Sequence, residues 1–145
     1  MKGTIISINI SKDKGEKKTA VDRCTLLKDM GVENDAHAGP GIRQVSLLAT
    51  ESIEKIRNKG LEISFGDFAE NLTTEGIDLV SLPIGTCLKV GETTRIRITK
   101  IGKECHARCN IFLQIGDCVM PREGIFTVVG EEGVIRPGDS LEVVE

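Results

Sequence analysis

The amino-acid sequence predicts a mainly β chain, a closed or nearly closed β-barrel with one clear helix and one or two short helices. Three observations lead there. Short apolar runs of strand length recur along the chain, separated by Gly-containing turns. The hydrophobic residues are mostly Ile, Val and Leu, with four Phe, no Trp and no Tyr, and the β-branched pair favours strands. One segment alone carries a well-marked helical pattern. The 145 residues suit one domain, residues 1–145, with a core that needs no cofactor to hold it.

The first strand is TIISINI (Thr4 to Ile10). Strict alternation would set Thr4, Ile6, Ile8 and Ile10 on one face and Ile5, Ser7 and Asn9 on the other. SKDKGEKK (Ser11 to Lys18) is a polar turn, and TAVDRCTLL (Thr19 to Leu27) a second strand. GVENDAHAGPGI (Gly31 to Ile42) holds three glycines and a proline and reads as a loop; Asn34 and Gly39 suit positive φ there. RQVSLLA (Arg43 to Ala49) is a strand or an apolar lead-in. The helix follows, with Thr50 as N-cap and Gly60 as stop. Ile53 and Ile56 face the core, and Glu51 and Lys55 form an i,i+4 pair.

FGDFAENLTTEGIDLVSLP reads as loop with short apolar runs. TCLKV (Thr86 to Val90) and TRIRITKI (Thr94 to Ile101) are strands about the turn at Gly91 to Thr93. Ile96 and Ile98 alternate there with Arg95, Arg97 and Thr99. CNIFLQIG reads as a short helix ending at Gly116, and IFTVV (Ile125 to Val129) and SLEVV (Ser140 to Val144) are two more strands.

Several function classes are excluded by composition. The net charge of -3 leaves no overall electrostatic footprint for nucleic acid, and the aromatics are too few for a single-strand binder. No run approaches membrane-spanning length, and the first residues, MKGTIISINISKDKG, lack a signal's apolar core and cleavage site. A cytoplasmic location, where thiols stay reduced, is expected. No Gly-rich phosphate loop, nucleophile elbow or His-Glu-x-x-His motif is present.

One stretch concentrates reactive chemistry: GKECHARCNIFLQIGDCVMPREG (Gly102 to Gly124). It holds Cys105, Cys109 and Cys118, three of five cysteines, and His106, one of two histidines. From Lys89 to Arg122 there are seven basic residues against three acidic ones. A cationic surround favours the thiolate, which is both nucleophile and metal ligand. Lys103 and Arg108 flank the first two thiols; Arg95 and Arg97 read instead as a solvated strand face. On a helix, Cys105, His106 and Cys109 would share a side. With Cys118 they could bind a metal, although Cys-x3-Cys departs from the usual Cys-x2-Cys zinc spacing. Cys24 and Cys87, inside apolar strand patterns, read as small buried hydrophobes, and Cys118 equally as filler or ligand. His37, close to Asp35, is a ligand-binding residue, a base or an exposed loop residue.

Taken in order, GVENDAHAG, RQVSLLA, DFAENLTTEGIDL, LPIGTCLKVG, IGKECHARC and GDCVMPREGIF resemble the MOSC domain, the C-terminal domain of molybdenum-cofactor sulfurases, and within it the small stand-alone bacterial subgroup. The resemblance spans Gly3 to Val143. It implies a β-barrel and a role in sulfur carriage or molybdenum-cofactor handling; the family also carries an association with pyridoxal phosphate binding. The family's key cysteine matches Cys105, with Cys109 second. His37, Arg43, Asn71 and Leu72 fall in the other motif phrases and would line the same pocket. The expectation that follows is a sulfur carrier. A cysteine desulfurase would hand sulfane sulfur to Cys105, and a molybdenum-cofactor biosynthesis protein or molybdoenzyme would accept it. The alternative is a molybdenum-cofactor carrier or oxo-transfer enzyme with a cysteine ligand. Arg43, Arg108 or Arg122 would then hold the pterin phosphate, with Lys103 and His106 beside it. A small zinc domain built on Cys105, Cys109 and Cys118 is the third reading.

Overall fold

The computed structural model describes residues 1–14, 16–102 and 120–144. Seven strands close into a barrel: β1 (Lys2–Ile10), β6 (Leu72–Glu75), β5 (Val45–Ala49), β9 (Ile125–Glu131), β8 (Thr94–Ile101), β7 (Cys87–Val90) and β11 (Ser140–Val144), in that spatial order. Closure comes from β1, whose first residues pair with β11 (Lys2 with Glu142, Thr4 with Ser140) while Thr4 to Ile8 pair with β6. Its last residues, Ile8 to Ile10, pair with the short β2 (Thr19–Val21). A second, three-stranded sheet runs β10 (Gly133–Ile135), β3 (Cys24–Leu27), β4 (Gly31–Val32). All neighbours in the barrel are antiparallel except β5 and β6, which are parallel and joined through helix α1 (Thr50–Arg57) and residues 58–71.

The barrel interior is filled by Ile5, Ile8, Val45, Leu47, Leu72, Leu88, Ile96, Ile98, Ile125, Val129 and Leu141, all buried. Each contributes roughly 1.5–3 kcal/mol of transfer free energy. The alternation in β8 matches expectation: Thr94, Ile96 and Ile98 are buried and Arg97 is exposed. In β1 it does not. The pairing with β6 slips between Ile5 and Ser7, and this bulge brings Ile5 and Ile8 to the same interior although strict alternation separates them.

The helix also departs in detail. Thr50 is its first residue, and Ala49 occupies the cap position without a side-chain bond. Ile53 and Ile56 are fully buried as expected. The Glu51–Lys55 pair does not form. Lys55 instead reaches Glu123 at 2.7 Å, and Glu51 accepts from the Gly76 N–H. Glu123 lies on α2 (Met120–Glu123) and also accepts from the Ser52 hydroxyl at 2.9 Å. Tertiary partners outcompete a local pair worth a few tenths of a kcal/mol. Between α1, α2 and the outer face of β5 lies a second core of Leu48, Ile53, Ile56, Ile63, Phe68, Met120 and Phe126. A 3-10 turn spans Leu79–Ser81. The short helix expected to end at Gly116 falls outside the described residues.

Candidate functional site

Strand parity places a line of polar side chains on the outer barrel wall. On β5, Val45 and Leu47 point inward, so Ser46 and Leu48 point out. On β6, Leu72 is inside and Thr73 out, and beyond the β1 bulge Ile8 is inside while Ser7 and Asn9 face out. These outward groups are nonetheless buried: Ser7, Asn9, Ser46, Asn71 and Thr73 are each at most 6% exposed. Residues 58–71, the Ser11–Lys18 turn and the chain after β4 roof them. Lys18 N–H donates to Gly66 O at 2.9 Å, Ala36 N–H to Ser11 O at 2.9 Å and Asn9 N–H to Asn71 O at 2.7 Å.

Under this roof the polar groups satisfy one another. Asn71 Oδ1 accepts from the Ser46 N–H at 3.0 Å and the Ser46 hydroxyl at 3.2 Å, and its Nδ2 donates to Asn9 O at 3.2 Å. One side chain thereby ties β5, β6 and β1 together. Asn9 donates to Glu70 O and to the Thr73 hydroxyl, which donates to Glu70 Oε2 at 2.8 Å. Glu70 Oε2 also takes the Gly66 N–H at 3.0 Å, while Oε1 is buried without a partner among the described residues. Burial raises the Glu70 carboxyl above the usual range despite those hydrogen bonds. A carboxyl with a raised folded-state pKa stabilises the fold at low pH and loses that contribution as pH rises through the raised value. Glu70→Gln is therefore expected to flatten the decline of melting temperature as pH rises above the ordinary glutamate value of about 4.3 and through the raised folded-state value, read by thermal circular dichroism.

At the centre of the roof is an ion pair. Lys18 and Asp35 side chains are 0% exposed and meet at 2.7 Å. An ammonium has three donors and no acceptor. Those of Lys18 go to Asp35 Oδ1, to Ser11 Oγ at 3.0 Å and to His37 Nδ1 at 2.9 Å. Nδ1 must then accept, which fixes the imidazole as the tautomer with its proton on Nε2. The His37 N–H donates to Asp35 Oδ2 at 3.1 Å, and the Ser11 N–H to Oδ1 at 3.0 Å. Burial pushes the Asp35 carboxyl up, but hydrogen bonds from Lys18, Asn71 and Ser11 and the Lys18 charge outweigh it and hold the group below the usual carboxylate range.

Cys24 is partly buried against the barrel core, and its thiol is pushed up to about 12, by burial first and the Asp35 charge second. It remains a thiol at neutral pH. Arg43 is exposed, its guanidinium 5.4 Å from the Phe126 ring centroid. The neighbouring Ile42 carbonyl is held by the Thr99 hydroxyl. Arg122 is exposed on α2, two residues from Met120, which packs in the Phe126 cluster.

His37 and Asn71 are therefore brought to one buried network through Asp35, Arg43 and Arg122 stand over and beside the second core, and Leu72 points into the barrel. Lys103, Cys105, His106, Arg108, Cys109 and Cys118 lie outside the described residues. The ends of their connection are placed: Ile101 pairs with Ile125, and the Gly102 N–H donates to Gly124 O at 2.6 Å. Among the described residues no group of three or more His, Cys, Asp or Glu could hold a metal ion. No helix among them is long and apolar enough to cross a membrane. Lys18, Glu70 and Asn9 were not singled out from sequence. Lys18 is one of four lysines in a polar turn, and only the fold shows which is buried.

The MOSC domain model matches residues 33–142 of the chain. The chain belongs to the MOSC domain family. This family is associated generally with molybdenum-cofactor-related function. Solved structures share the MOSC fold across nearly the whole chain. The YuaD protein of Bacillus subtilis superposes with a TM-score of 0.82 at 18% identity, covering 99% of this chain and 96% of that one. YiiM from Geobacillus stearothermophilus gives 0.73 at 23% identity, over 99% of this chain and 75% of its own. YiiM from Escherichia coli gives 0.72 at 18%, over 100% and 70%. Among curated proteins none matches the chain. For a molybdenum cofactor, the described residues of this MOSC domain fit one end only. Arg43 and Arg122 are exposed guanidinium groups suited to a phosphate. Soft thiolate donors for the metal would come from the cysteines other than Cys24, which keeps its proton; three of those four lie in residues 103–119.

Proposed function

We propose that this MOSC protein is a sulfur carrier in molybdenum-cofactor metabolism, holding sulfane sulfur as a persulfide on Cys105 with Cys109 as the second thiol. The observation that carries the reading is family membership combined with where the cysteines fall. Three of five lie between Gly102 and Gly124, whose backbones are joined at the barrel wall. Elimination supports it. Cys24 is disqualified as an acceptor by its raised pKa, and Cys87 is half-buried in a barrel strand.

The transfer is redox-neutral. The Cys105 thiolate attacks the terminal sulfur of the persulfide on a cysteine desulfurase; the donor's S–S bond breaks, a new one forms on Cys105, and the donor leaves as a thiolate. Lys103 and Arg108 favour the anionic forms. Delivery repeats the exchange with an acceptor thiol of a cofactor-biosynthesis protein or molybdoenzyme. If Cys109 attacks the inner sulfur instead, hydrosulfide leaves and a Cys105–Cys109 disulfide remains, which a reductant must reopen.

Intact mass under non-reducing conditions, before and after incubation with a cysteine desulfurase and cysteine, tests this. One added sulfur, mapped to Cys105 or Cys109 and removed by reductant, is expected; Cys105→Ala with Cys109→Ala should take up none. Failure to gain sulfur while both thiols alkylate would defeat the reading. It would favour cofactor binding, the second reading, which the two exposed arginines beside the Phe126 cluster support. Molybdenum and pterin content of protein purified from its own host decides that case.

A further inference from the structure

The three-stranded sheet borders a cleft of about 430 Å³, within the range of small-ligand sites. It shares no residue with the sulfur-carrier reading. Its notable feature is a pair of arginines. The β3–β10 register sets Leu26 against Gly133, Thr25 against Val134 and Cys24 against Ile135. The paired residues end there; Arg23 and Arg136 are the next residues beyond them on the two strands, and both line the cleft. Neither arginine joins an ion pair among the described residues. Asp22, adjacent to Arg23, is not in the lining, and Asp139, the acidic group nearest Arg136 in sequence, accepts from the Arg136 backbone N–H at 2.8 Å. Two guanidinium forks lining one cavity match an oxyanion that can take both.

The rest of the lining narrows the ligand. Val134, 50% exposed, and Ile10 offer apolar surface beside the arginines. Glu33 is the only acidic group among the described residues of the lining. It opposes a second anionic group on the ligand and can accept from a hydroxyl. The Cys24 thiol is in the wall, protonated, and takes no part in chemistry.

We propose that this cleft binds a small phosphate monoester, its phosphate held between Arg23 and Arg136 and its apolar body laid over Val134 and Ile10. Binding is independent of sulfur carriage and survives or fails without it. The probe is phenyl phosphate, titrated at low salt into the isotopically labelled full chain and followed by amide chemical shifts. Saturable shifts centred on residues 23–25, 33–34 and 134–136 are expected. Arg23→Ala and Arg136→Ala should each weaken binding by about ten- to hundredfold. Arg136→Lys, which keeps the charge and loses the fork, should weaken it less than Arg136→Ala. Without ligand, neither alanine variant should melt below the parent, because each removes one of two like charges lining the same cleft and breaks no ion pair among the described residues. Diffuse, non-saturating shifts that follow ionic strength, or alanine variants that bind as the parent does, would overturn the proposal. So would a clear drop in ligand-free melting temperature for both, which makes the pair structural. Benzoate binding as tightly as phenyl phosphate would overturn the phosphate assignment.

Discussion

Asp35→Ala is expected to lower the unfolding free energy by about 3–5 kcal/mol, the usual cost of removing one partner of a buried ion pair. The reason is the state of what remains. Lys18 is 0% exposed, and without Asp35 its charge has only a hydroxyl and an imidazole nitrogen for company. The roof over the polar wall loses two further bonds at once, from the Ser11 and His37 N–H groups. Denaturant unfolding measures the loss. A discriminating control is Asp35→Ala combined with Lys18→Met, which removes both charges and should recover a large part of the stability. If the single variant proves as stable as the parent, the pair does not hold the roof. The pH dependence has a definite sign. Asp35 has a depressed folded-state pKa, so its contribution is complete above the ordinary carboxylate value of about 3.9 and is lost as pH falls through the lower, folded-state value. The acid limb of the parent's stability curve should therefore be steeper than that of Asp35→Ala.

Gly66→Ala should be the second severe lesion, about 3 kcal/mol, from strain and displacement together. Gly66 has φ +93, a conformation L-residues rarely adopt, and an added Cβ would sit 2.2 Å from Lys18 O. Its own carbonyl receives the Lys18 N–H, and its N–H is held by Glu70. The new methyl must push the Lys18 backbone away from the wall and so disturb the ion pair at its root. This predicts coupling: on an Asp35→Ala background the same substitution should cost less than in the parent, because part of what it destroys is already gone. Strict additivity in a double-mutant cycle would refute the link between the glycine and the pair.

Much of this was legible in the one-dimensional pattern. Hydrophobic alternation and turn residues gave the limits of β8 and β11, the buried face of α1 and the barrel class, because burial on one side of a strand or helix writes its period into the sequence. The ordered motif phrases led to the MOSC family, and the grouping of Cys105, Cys109 and Cys118 is a fact of the sequence alone. Other elements left no such trace. LTTE of β6 has one apolar residue and pairs in parallel with β5, so its strand character comes from the neighbours on either side. Strands β4 and β10 are two and three residues long, too short to show a period. The bulge in β1 reversed the parity read from its isoleucines.

For the site, the sequence by itself determined the inventory: His37, Asp35, Arg43, Asn71 and the cysteines, in family order. Only the tertiary structure decided which polar groups share one environment. Lys18 and Asp35 are seventeen residues apart, and Asn9 and Asn71 sixty-two, and a bare lysine in a polar turn carries no mark of burial. Arg23 and Arg136 likewise come to line one cleft only because β3 pairs with β10. Local pattern records which side of an element meets apolar surface. It does not record the long-range partner that makes a buried charge tolerable, because that partner is supplied by the closed barrel and the chain wrapped over its outer wall.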